Sequence, residues 1–360
     1  MADFTQSPSG NRIAAIGGDG IGPEVIESSI RVLEAATEGD GASPLSFTRF
    51  PWGCEYYLQH GRMMPEDALE TLAGFDAIYL GAVGWPTVPD HVSLWGLLIP
   101  IRRGFDQYVN LRPARLLRGV ESPLAKPGSL DVTVVRENTE GEYSDSGGRL
   151  FSGTPHEIAV QDSVFTRRGV ERILRYAFEE AKGRRGLLTG ATKSNGISIT
   201  MPFFDEIFRE VGEDYPDVEA SLMHADALAA RLVLDPERFD VVVGSNLLGD
   251  ILSEITAAVS GAIGIAPSAN LNPERKYPSL FEPIHGSAPD IAGEGVANPA
   301  GAIWAGALML EHAGYPDAGA RILTALEETL ASGTKTRDLG GTATTAEVTE
   351  AVVQRLEASA

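Results

Sequence analysis

The chain has 360 residues, 43% of them hydrophobic, and its 50 acidic and 29 basic residues give a net charge of −21. This length predicts two domains, and the apolar stretches fall short of the ~20 residues that a membrane-spanning helix needs. The charge disfavours binding to nucleic acid or anionic membranes, and Cys54 as the sole cysteine excludes an internal disulfide and favours the cytoplasm.

Strands, turns and helices alternate along the chain from its start. The first residues lack the basic start and apolar segment of a secretory signal, so none is expected. An apolar strand over 12–16 leads through the turn GDGIG into a helix that begins at Pro23. Further strands are predicted over 76–80, 131–135, 187–188 and 240–243, and further helices over 64–72, 167–182, 202–211, 222–233, 247–259, 299–311, 318–331 and 345–356. Alternation on this scale predicts an α/β fold.

The segment between Tyr143 and Thr166 departs from this alternation. A stretch rich in glycine and serine precedes residues 157–165, in which apolar and polar side chains alternate. This pattern predicts an exposed hairpin or arm, for which two interpretations stay open. The arm could pair with a partner subunit, or it could be an ordinary edge hairpin.

The turn at 18–23 follows a strand and opens a helix, as a dinucleotide-binding turn does. Its glycines, however, follow the pattern G-x-G-x-G-P instead of G-x-G-x-x-G, and no acidic residue ends a second strand at the expected place. The turn alone therefore predicts no more than a tight connection between a strand and a helix.

Three arginines are candidates for binding an anionic substrate. Arg102 and Arg112 flank the segment 103–111, and Arg136 follows the predicted strand over 131–135. An arginine can hold a carboxylate through two parallel hydrogen bonds, which suits a dicarboxylate or hydroxy-acid substrate. Each arginine taken alone is more often the partner of a surface carboxylate.

Acidic residues on two predicted helices form a candidate metal site. Asp250 and Glu254 are four residues apart, so they project from one face of their helix, and Asp226 lies on another helix. Carboxylate oxygens are ligands that Mg²⁺ and Mn²⁺ prefer. An acidic pair at this spacing is nevertheless more often a solvated helix face.

Lys193 is a candidate general base. It lies just past the predicted strand over 187–188, where ligand-facing side chains collect in α/β sheets. The chain has only five lysines among its 29 basic residues, which makes a lysine at this place a stronger candidate.

The motifs of the chain resemble, in order and over nearly its whole length, those of the metal-dependent decarboxylating β-hydroxyacid dehydrogenases, the isocitrate and isopropylmalate dehydrogenase family. They are GDGIGPEV at 18–25, NLRP at 110–113, VVRENTEGEY at 134–143, TRRGVERI at 166–173, ATKSNG at 191–196, GDILSE at 249–254 and EPIHGSAPDIAGEGVANP at 282–299. Residues 88–96 and 265–275 are most similar to the tartrate and D-malate branch of the family. The agreement of several independent motifs and of their spacing makes this resemblance specific.

The resemblance implies a two-domain α/β fold of the isocitrate/isopropylmalate dehydrogenase type, with mixed sheets and a cofactor site unlike the Rossmann site. Residues 1–108 and 262–360 are expected to form the larger, cofactor-binding domain, and residues 109–261 the smaller domain for substrate, metal and dimerisation. A cleft between them would hold metal and substrate and would close before hydride transfer. The resemblance also implies an obligate homodimer with shared active sites, in which Lys193 and Asp226 come from the second subunit and the arm helps to join the subunits.

The activity that the resemblance implies is oxidative decarboxylation of a small 2-hydroxy dicarboxylate with NAD and with Mg²⁺ or Mn²⁺. Lys193 with Asp226 would accept the hydroxyl proton as hydride leaves C2, and Tyr143 would protonate the carbon that loses CO₂ or relay the proton to it. The substrate carboxylates would bind Arg102, Arg112 and Arg136. The metal ligands would be Asp226, Asp250 and Glu254.

The cofactor is expected on one loop and one residue beyond it: His285, Gly286, Ser287, Ala288, Asp290 and Asn298. His285 would pack near the adenine. A carboxylate at Asp290 can accept hydrogen bonds from ribose hydroxyls and would repel a 2′-phosphate, which favours NAD over NADP.

Four positions depart from the family pattern or mark the substrate. Glu254 replaces the usual Asp, which adds one methylene and leaves open whether Glu254 binds the metal directly or through water. Gly190 and Pro100 leave the rim of the substrate pocket undetermined. Trp95 lies where isopropylmalate enzymes carry an acidic residue and leucines, which favours D-malate or tartrate, although Trp95 could equally be a core residue.

Two other functions stay open: oxidation of 3-isopropylmalate on the same fold, and a non-catalytic NAD- or metal-binding protein. The sequence also leaves open the preferred hydroxy acid, Mg²⁺ against Mn²⁺, a requirement for a monovalent cation, and assembly beyond a dimer. No partner besides the small-molecule substrate and a second copy of the chain is expected.

Overall fold

The computed structural model describes residues 11–38 and 44–359. The strands are β1 (Arg12–Gly18), β2 (Ser46–Phe50), β3 (Ala77–Ala82), β4 (Val109–Arg115), β5 (Asp131–Glu137), β6 (Gly147–Leu150), β7 (Ile158–Gln161), β8 (Leu187–Thr192), β9 (Glu219–His224), β10 (Val241–Gly244), β11 (Pro267–Leu271) and β12 (Ser279–Pro283). The helices are α1 (Gly22–Thr37), α2 (Cys54–His60), α3 (Ala68–Leu72), α4 (Asp90–Ser93), α5 (Ile99–Gly104), α6 (Arg167–Gly183), α7 (Thr200–Gly212), α8 (Ala225–Leu234), α9 (Asn246–Val259), α10 (Ala300–Ala313), α11 (Pro316–Ala331) and α12 (Thr345–Ser359). A π-helical segment covers Leu94–Leu98, and 3₁₀ turns cover Pro236–Arg238 and Arg337–Leu339. This succession confirms the predicted α/β class.

The first of two compact units contains the described residues up to Gln107, Arg115–Pro123, and the residues from Ser260 onward. Its strand order is β2-β1-β3-β12-β11, in which β11 alone runs antiparallel to its neighbour β12. The sheet is therefore mixed, as predicted. A core cluster that includes Ile16, Ile78 and Phe105 packs against it. Because β1 and β3 are parallel, the turn after Gly18 and the segment after Ala82 lie at the same edge of the sheet.

The second unit contains Tyr108–Ala114 and Leu124–Val259. Its strand order is β4-β5-β10-β8-β9, with β10 parallel to both β5 and β8 and β9 parallel to β8. Side chains such as Val134, Val242 and Leu252 form the core of this unit. The carboxyl ends of β5, β8 and β10 share one edge of the sheet. The fold thereby places Arg136, Lys193 and the start of α9 at that edge.

An exposed hairpin occupies part of the segment that departs from the α/β alternation. β6 and β7 pair antiparallel with each other, and each of their residues is exposed. Leu150, Phe151, Ile158 and Val160 are large apolar side chains on this hairpin that face solvent in the single chain. The predicted arm is therefore present, and its role in joining subunits stays a prediction.

Two predicted helices begin three to four residues later in the structure than the sequence predicts. The helix expected over 222–233 begins at Ala225, because residues 222–224 are the end of β9 and pair with residues 190–192 of β8. Pairing with a neighbouring strand here outweighs the helical preference of leucine and methionine. The helix expected over 64–72 shortens to Ala68–Leu72, where the Ala68 N–H donates to the carbonyl of Pro65.

No helix within residues 11–38 and 44–359 combines the length and the apolar character required to cross a bilayer.

His312 makes the stability of the first unit sensitive to acid. Its ring lies near Phe281, with ring centroids 5.6 Å apart, and burial lowers its pKa to about 4 from an ordinary 6.5. The neutral ring therefore contributes stability that is full above pH 6.5 and is lost as the pH falls towards 4, by at most about 3 kcal/mol. In His312→Phe, we expect the free energy of unfolding to fall correspondingly less between pH 6.5 and 4.5. Guanidinium unfolding at both pH values measures this, and equal falls in the two proteins would contradict it.

Candidate active site

One acidic side chain, Asp250 on α9, contacts three of the groups that the sequence singled out, and a fourth lies beside them. Arg136 at the end of β5 donates from Nη1 to Asp250 Oδ1 over 2.6 Å, and Arg112 Nη1 of β4 lies 3.2 Å from the same oxygen. The Tyr143 hydroxyl donates to Asp250 Oδ2 over 2.9 Å. Glu254, one helical turn further along, lies 3.4 Å from Arg112 Nη1. The second unit therefore brings two cations, two carboxylates and a phenol together.

The arginines of this cluster are held by residues that the sequence did not reveal. Asn246, at the start of α9, accepts from Arg136 Nε through its carbonyl and from Arg136 Nη2 through its side chain, over 2.9 and 2.7 Å. Ser253 accepts from Arg112 Nη1 over 2.8 Å. A side chain at Gly249 would meet the Arg136 Cβ at 2.7 Å, so glycine leaves room for this approach. Both arginines are consequently fixed with little solvent around them.

Tyr143 is chemically suited to hold a proton. Burial first, and then the neighbouring negative charge of Asp250, raise the pKa of the Tyr143 hydroxyl above its ordinary value. The hydroxyl is therefore protonated at neutral pH and already oriented as a donor. Such a group can supply a proton to a carbanion-like carbon.

Lys193 and Asp226 form a second, separate pair. Lys193 directly follows β8, and its Nζ lies 2.9 Å from Asp226 Oδ1 in the first turn of α8. The hydrogen bond from Lys193 lowers the pKa of the Asp226 carboxyl. The side chains are 33% and 69% exposed, respectively, so both stay accessible in the single chain.

The carboxylates of Asp226, Asp250 and Glu254 are ligands of the type that a hard divalent cation prefers, but the three do not lie together in the single chain. Across the part of the chain that the structure describes, no group of three or more His, Cys, Asp or Glu side chains is placed to hold a metal ion. Asp250 and Glu254 lie together on one face of α9, as their spacing predicts, whereas Asp226 forms an ion pair with Lys193. Two carboxylates with oxygen donors alone suit Mg²⁺ or Mn²⁺. A complete site requires a further ligand from outside these two residues.

Arg102 and Trp95 belong to the first unit. Arg102 on α5 donates from Nη2 to Glu282 Oε1 over 2.9 Å, and Glu282 also accepts from Asn270 Nδ2 over 2.7 Å. Glu282 and Asn270 are further partners that sequence reasoning missed. Trp95, in the π-helical segment, is partly exposed, and the guanidinium carbon of Arg103 lies 5.0 Å from its ring centroid. Trp95 is therefore a surface aromatic and not a buried core residue.

The segment expected to bind the cofactor contains one buried polar atom whose partner is missing among the described residues. His285 Nδ1 lies 3.0 Å from the carbonyl of Gly286, and His285 Nε2 is buried without a hydrogen-bond partner. Burial lowers the pKa of His285, so the ring is neutral near pH 7 and can present Nε2 as an acceptor. An acceptor of this kind fits an exocyclic amino group such as that of adenine. This donor and acceptor pattern is compatible with NAD.

The remaining residues of that segment differ in their surroundings. Asp290 is exposed, and a Cβ at Gly286 would have no neighbour within 4 Å, so both positions are open to a ligand. Asn298, in contrast, uses its side chain within the protein: it accepts from the Ala300 N–H over 3.0 Å and donates to Asp338 over 2.9 Å. The Asn298 amide thus fixes the start of α10.

The chain is similar to known proteins over nearly its whole length. A family model described as isocitrate/isopropylmalate dehydrogenase matches residues 12–352. The chain is 60% identical over 351 residues to D-malate dehydrogenase [decarboxylating] of Escherichia coli, covering 95% of this chain and 97% of the relative. It is 57% identical over 356 residues to tartrate dehydrogenase/decarboxylase of Pseudomonas putida, covering 96% and 97%. The crystal structure of isocitrate dehydrogenase from Methylococcus capsulatus superimposes with a TM-score of 0.86 at 34% identity, covering 96% of this chain and 99% of that one. The chain belongs to the isocitrate/isopropylmalate dehydrogenase family.

Proposed function

We propose that this protein catalyses the oxidative decarboxylation of a small 2-hydroxy dicarboxylate, D-malate to pyruvate, CO₂ and NADH, or tartrate, with NAD and a divalent metal. The observation that carries the proposal is the convergence of Arg112, Arg136 and Tyr143 on Asp250. Relatives named for D-malate and tartrate, at 50–60% identity, support these substrates over 3-isopropylmalate. Dependence on NAD and a divalent metal is general in the family.

The arginines bind the substrate in this proposal. The planar guanidinium groups of Arg112 and Arg136 carry N–H donors that match a carboxylate, so these arginines can donate hydrogen bonds to the substrate carboxylates. Arg102, whose Nε is buried without a partner among the described residues, supplies a further donor. These cations provide local positive charge in a protein whose net charge is −21.

Proton transfer falls to two residues. Lys193, as the neutral amine, accepts the proton of the C2 hydroxyl, and Asp226 holds the ammonium group that results; NAD, when bound, would accept the hydride from C2. Tyr143 gives a proton to the carbon that loses CO₂. A divalent cation held by Asp250, Glu254 and Asp226 would polarise the substrate oxygens as a Lewis acid. Direct binding of Glu254 to the cation belongs to this proposal, and its 51% exposed side chain is free to adjust.

We further propose a homodimer with shared active sites. The exposure of the Lys193–Asp226 pair and the lack of a third carboxylate beside Asp250 and Glu254 in the described chain support a site completed by a second copy. The apolar side chains of the exposed hairpin support its role in joining the subunits. In this scheme the first unit binds NAD, the second binds substrate and metal, and the protein acts in the cytoplasm.

The cofactor choice depends on an exposed carboxylate. Asp290 can accept hydrogen bonds from the adenosine ribose and would repel the 2′-phosphate of NADP. His285, Gly286, Ser287 and Ala288 complete the proposed contact segment, and Asn298 supports it through the start of α10.

A substrate panel tests this proposal. Initial rates are measured for D-malate, tartrate and 3-isopropylmalate, with NAD or NADP, with Mg²⁺ or Mn²⁺, and with or without K⁺. We expect kcat/KM for D-malate or tartrate to exceed that for 3-isopropylmalate by about tenfold or more, because Trp95 lies where isopropylmalate enzymes carry the leucines that hold the branched tail. NAD is expected to be preferred. A higher kcat/KM for 3-isopropylmalate would overturn the proposed substrate. If no substrate gives NADH, the result would favour a non-catalytic binding protein.

A further inference from the structure

The glycine-rich turn between β1 and α1 is the motif that the proposed function leaves without a role. Its amides are already used within the protein. Asp19 N–H donates to the Ala82 carbonyl over 2.7 Å, Ile21 N–H to the Ser287 carbonyl over 2.8 Å, and Gly22 N–H to the Asp19 carbonyl over 2.9 Å. These donors are therefore not available to a phosphate group, and the turn serves another purpose.

The turn touches the cofactor segment at Ser287. Gly20 has a φ of +58°, and a Cβ there would lie 1.9 Å from the Ser287 carbonyl oxygen and 3.0 Å from the Ser287 Cβ. Any side chain at Gly20 must displace this backbone, so only glycine permits the observed approach. The close approach of Gly20 and the hydrogen bond from Ile21 therefore involve the same Ser287 carbonyl oxygen.

Asp19 fixes the turn to two other segments of the first unit. Its Oδ1 accepts from the Cys54 N–H over 2.7 Å, and its Oδ2 accepts from the Gly84 N–H over 2.8 Å. Asp19 is buried. Both carboxylate oxygens are thus occupied by backbone donors, one at the start of α2 and one just after β3. The turn is therefore anchored to these two segments as well as to Ser287.

We propose that the turn Gly18–Gly22 positions the loop His285–Asp290 for NAD, with Gly20 and Asp19 as positioning residues. This inference rests on the proposed function, because it takes NAD as the ligand of that loop. The turn acts on cofactor binding and not on proton transfer. Its disturbance raises the Kd and KM for the cofactor and leaves kcat at saturating NAD nearly unchanged.

A matched pair of variants tests the role of Gly20. Gly61, at the end of α2, also has a left-handed backbone with φ of +72°, but a Cβ there has no neighbour within 4 Å. Gly20→Ala and Gly61→Ala therefore impose similar backbone strain, and only the first disturbs Ser287. We expect fluorescence titration to show NADH binding weakened about tenfold or more in Gly20→Ala and less than about twofold in Gly61→Ala.

A second variant covers the case in which Gly20→Ala does not fold. In Asp19→Asn, whichever way the amide faces, its NH₂ group opposes a backbone N–H, so the anchor weakens and NADH binding falls in the same direction. Hydrogen exchange of residues 284–291 should quicken in Asp19→Asn and Gly20→Ala but not in Gly61→Ala.

The outcomes separate the two proposals. NADH binding by Gly20→Ala and Asp19→Asn as tight as by Gly61→Ala, in a protein that oxidises D-malate, would overturn the positioning role alone. A wild-type protein that neither binds NADH nor oxidises D-malate would overturn the proposed function, and the positioning role with it.

Discussion

Lys193→Ala is expected to lower kcat for D-malate oxidation by about 10²–10⁴-fold, the range typical for loss of a general base. The Lys193 side chain is one-third exposed and its Nζ lies 2.9 Å from Asp226 Oδ1, so its removal disturbs little of the core. NADH binding should be unchanged, because the cofactor segment belongs to the other unit. Steady-state rates and NADH titration measure the two effects separately.

Lys182→Ala supplies the matched control for this prediction. Lys182 on α6 also faces a carboxylate, that of Glu179 at 3.8 Å, and its side chain is well exposed. This variant removes a lysine from an ion pair without touching the candidate site, and it should keep full activity. A Lys193→Ala protein as active as Lys182→Ala would exclude Lys193 as the base.

Asp250→Asn is expected to abolish metal-dependent activity, with kcat/KM reduced by about 10³-fold or more and Mn²⁺ binding weakened by about 10–100-fold. The substitution removes the negative charge that Arg112, Arg136 and Tyr143 share. Because the Arg136 side chain is only 3% exposed, a loss of about 1–3 kcal/mol in the free energy of unfolding should accompany the change. Mn²⁺ titration followed by electron paramagnetic resonance, rate measurements and urea unfolding report the three effects.

Asp214→Asn is the matched control for Asp250→Asn, because it removes an ion pair without changing the candidate metal site. Asp214 Oδ2 lies 3.0 Å from Arg175 Nη1, and both side chains are exposed. Its replacement therefore breaks an Asp–Arg ion pair on the surface and does not touch the buried cluster around Asp250. Metal binding and rate should stay at the wild-type level. Wild-type Mn²⁺ affinity in Asp250→Asn would contradict the assignment of Asp250 as a ligand.

Mixing the two inactive variants tests whether the sites are shared. If Lys193 of one subunit completes the Asp250 site of the other, each hybrid dimer has one intact site, and an equimolar, exchanged mixture regains about a quarter of the wild-type rate. A site built within one chain would leave the mixture inactive.

The local sequence pattern predicted those features of the site that depend on residues close together along the chain. The spacing of Asp250 and Glu254 placed both on one face of a helix, and Lys193 does follow the strand that it was expected to follow. The partners that orient the arginines of the site lie far away along the chain: Asn246 is 110 residues from Arg136, and Glu282 is 180 residues from Arg102. Such contacts arise from strand order and not from local periodicity. For the same reason β9 was missed, since its pairing with β8 outweighs a helical pattern.

The turn Gly18–Gly22 shows a different limit of sequence reasoning. The predicted strand-turn-helix pattern is confirmed. The poor match to a dinucleotide fingerprint is in line with turn amides that donate to carbonyl groups of the protein. Its contact with Ser287 joins residues more than 250 positions apart. Only the fold reveals why glycine is required at position 20.

The most direct test of the central claim is the D-malate reaction of the panel, with NADH and CO₂ measured together in one sample. With NAD and Mn²⁺ or Mg²⁺, we predict one NADH and one CO₂ for each D-malate consumed, loss of both products in excess EDTA, and recovery when the metal is restored. NADH without CO₂, or a rate that EDTA leaves unchanged, would contradict the assignment of a metal-dependent oxidative decarboxylase.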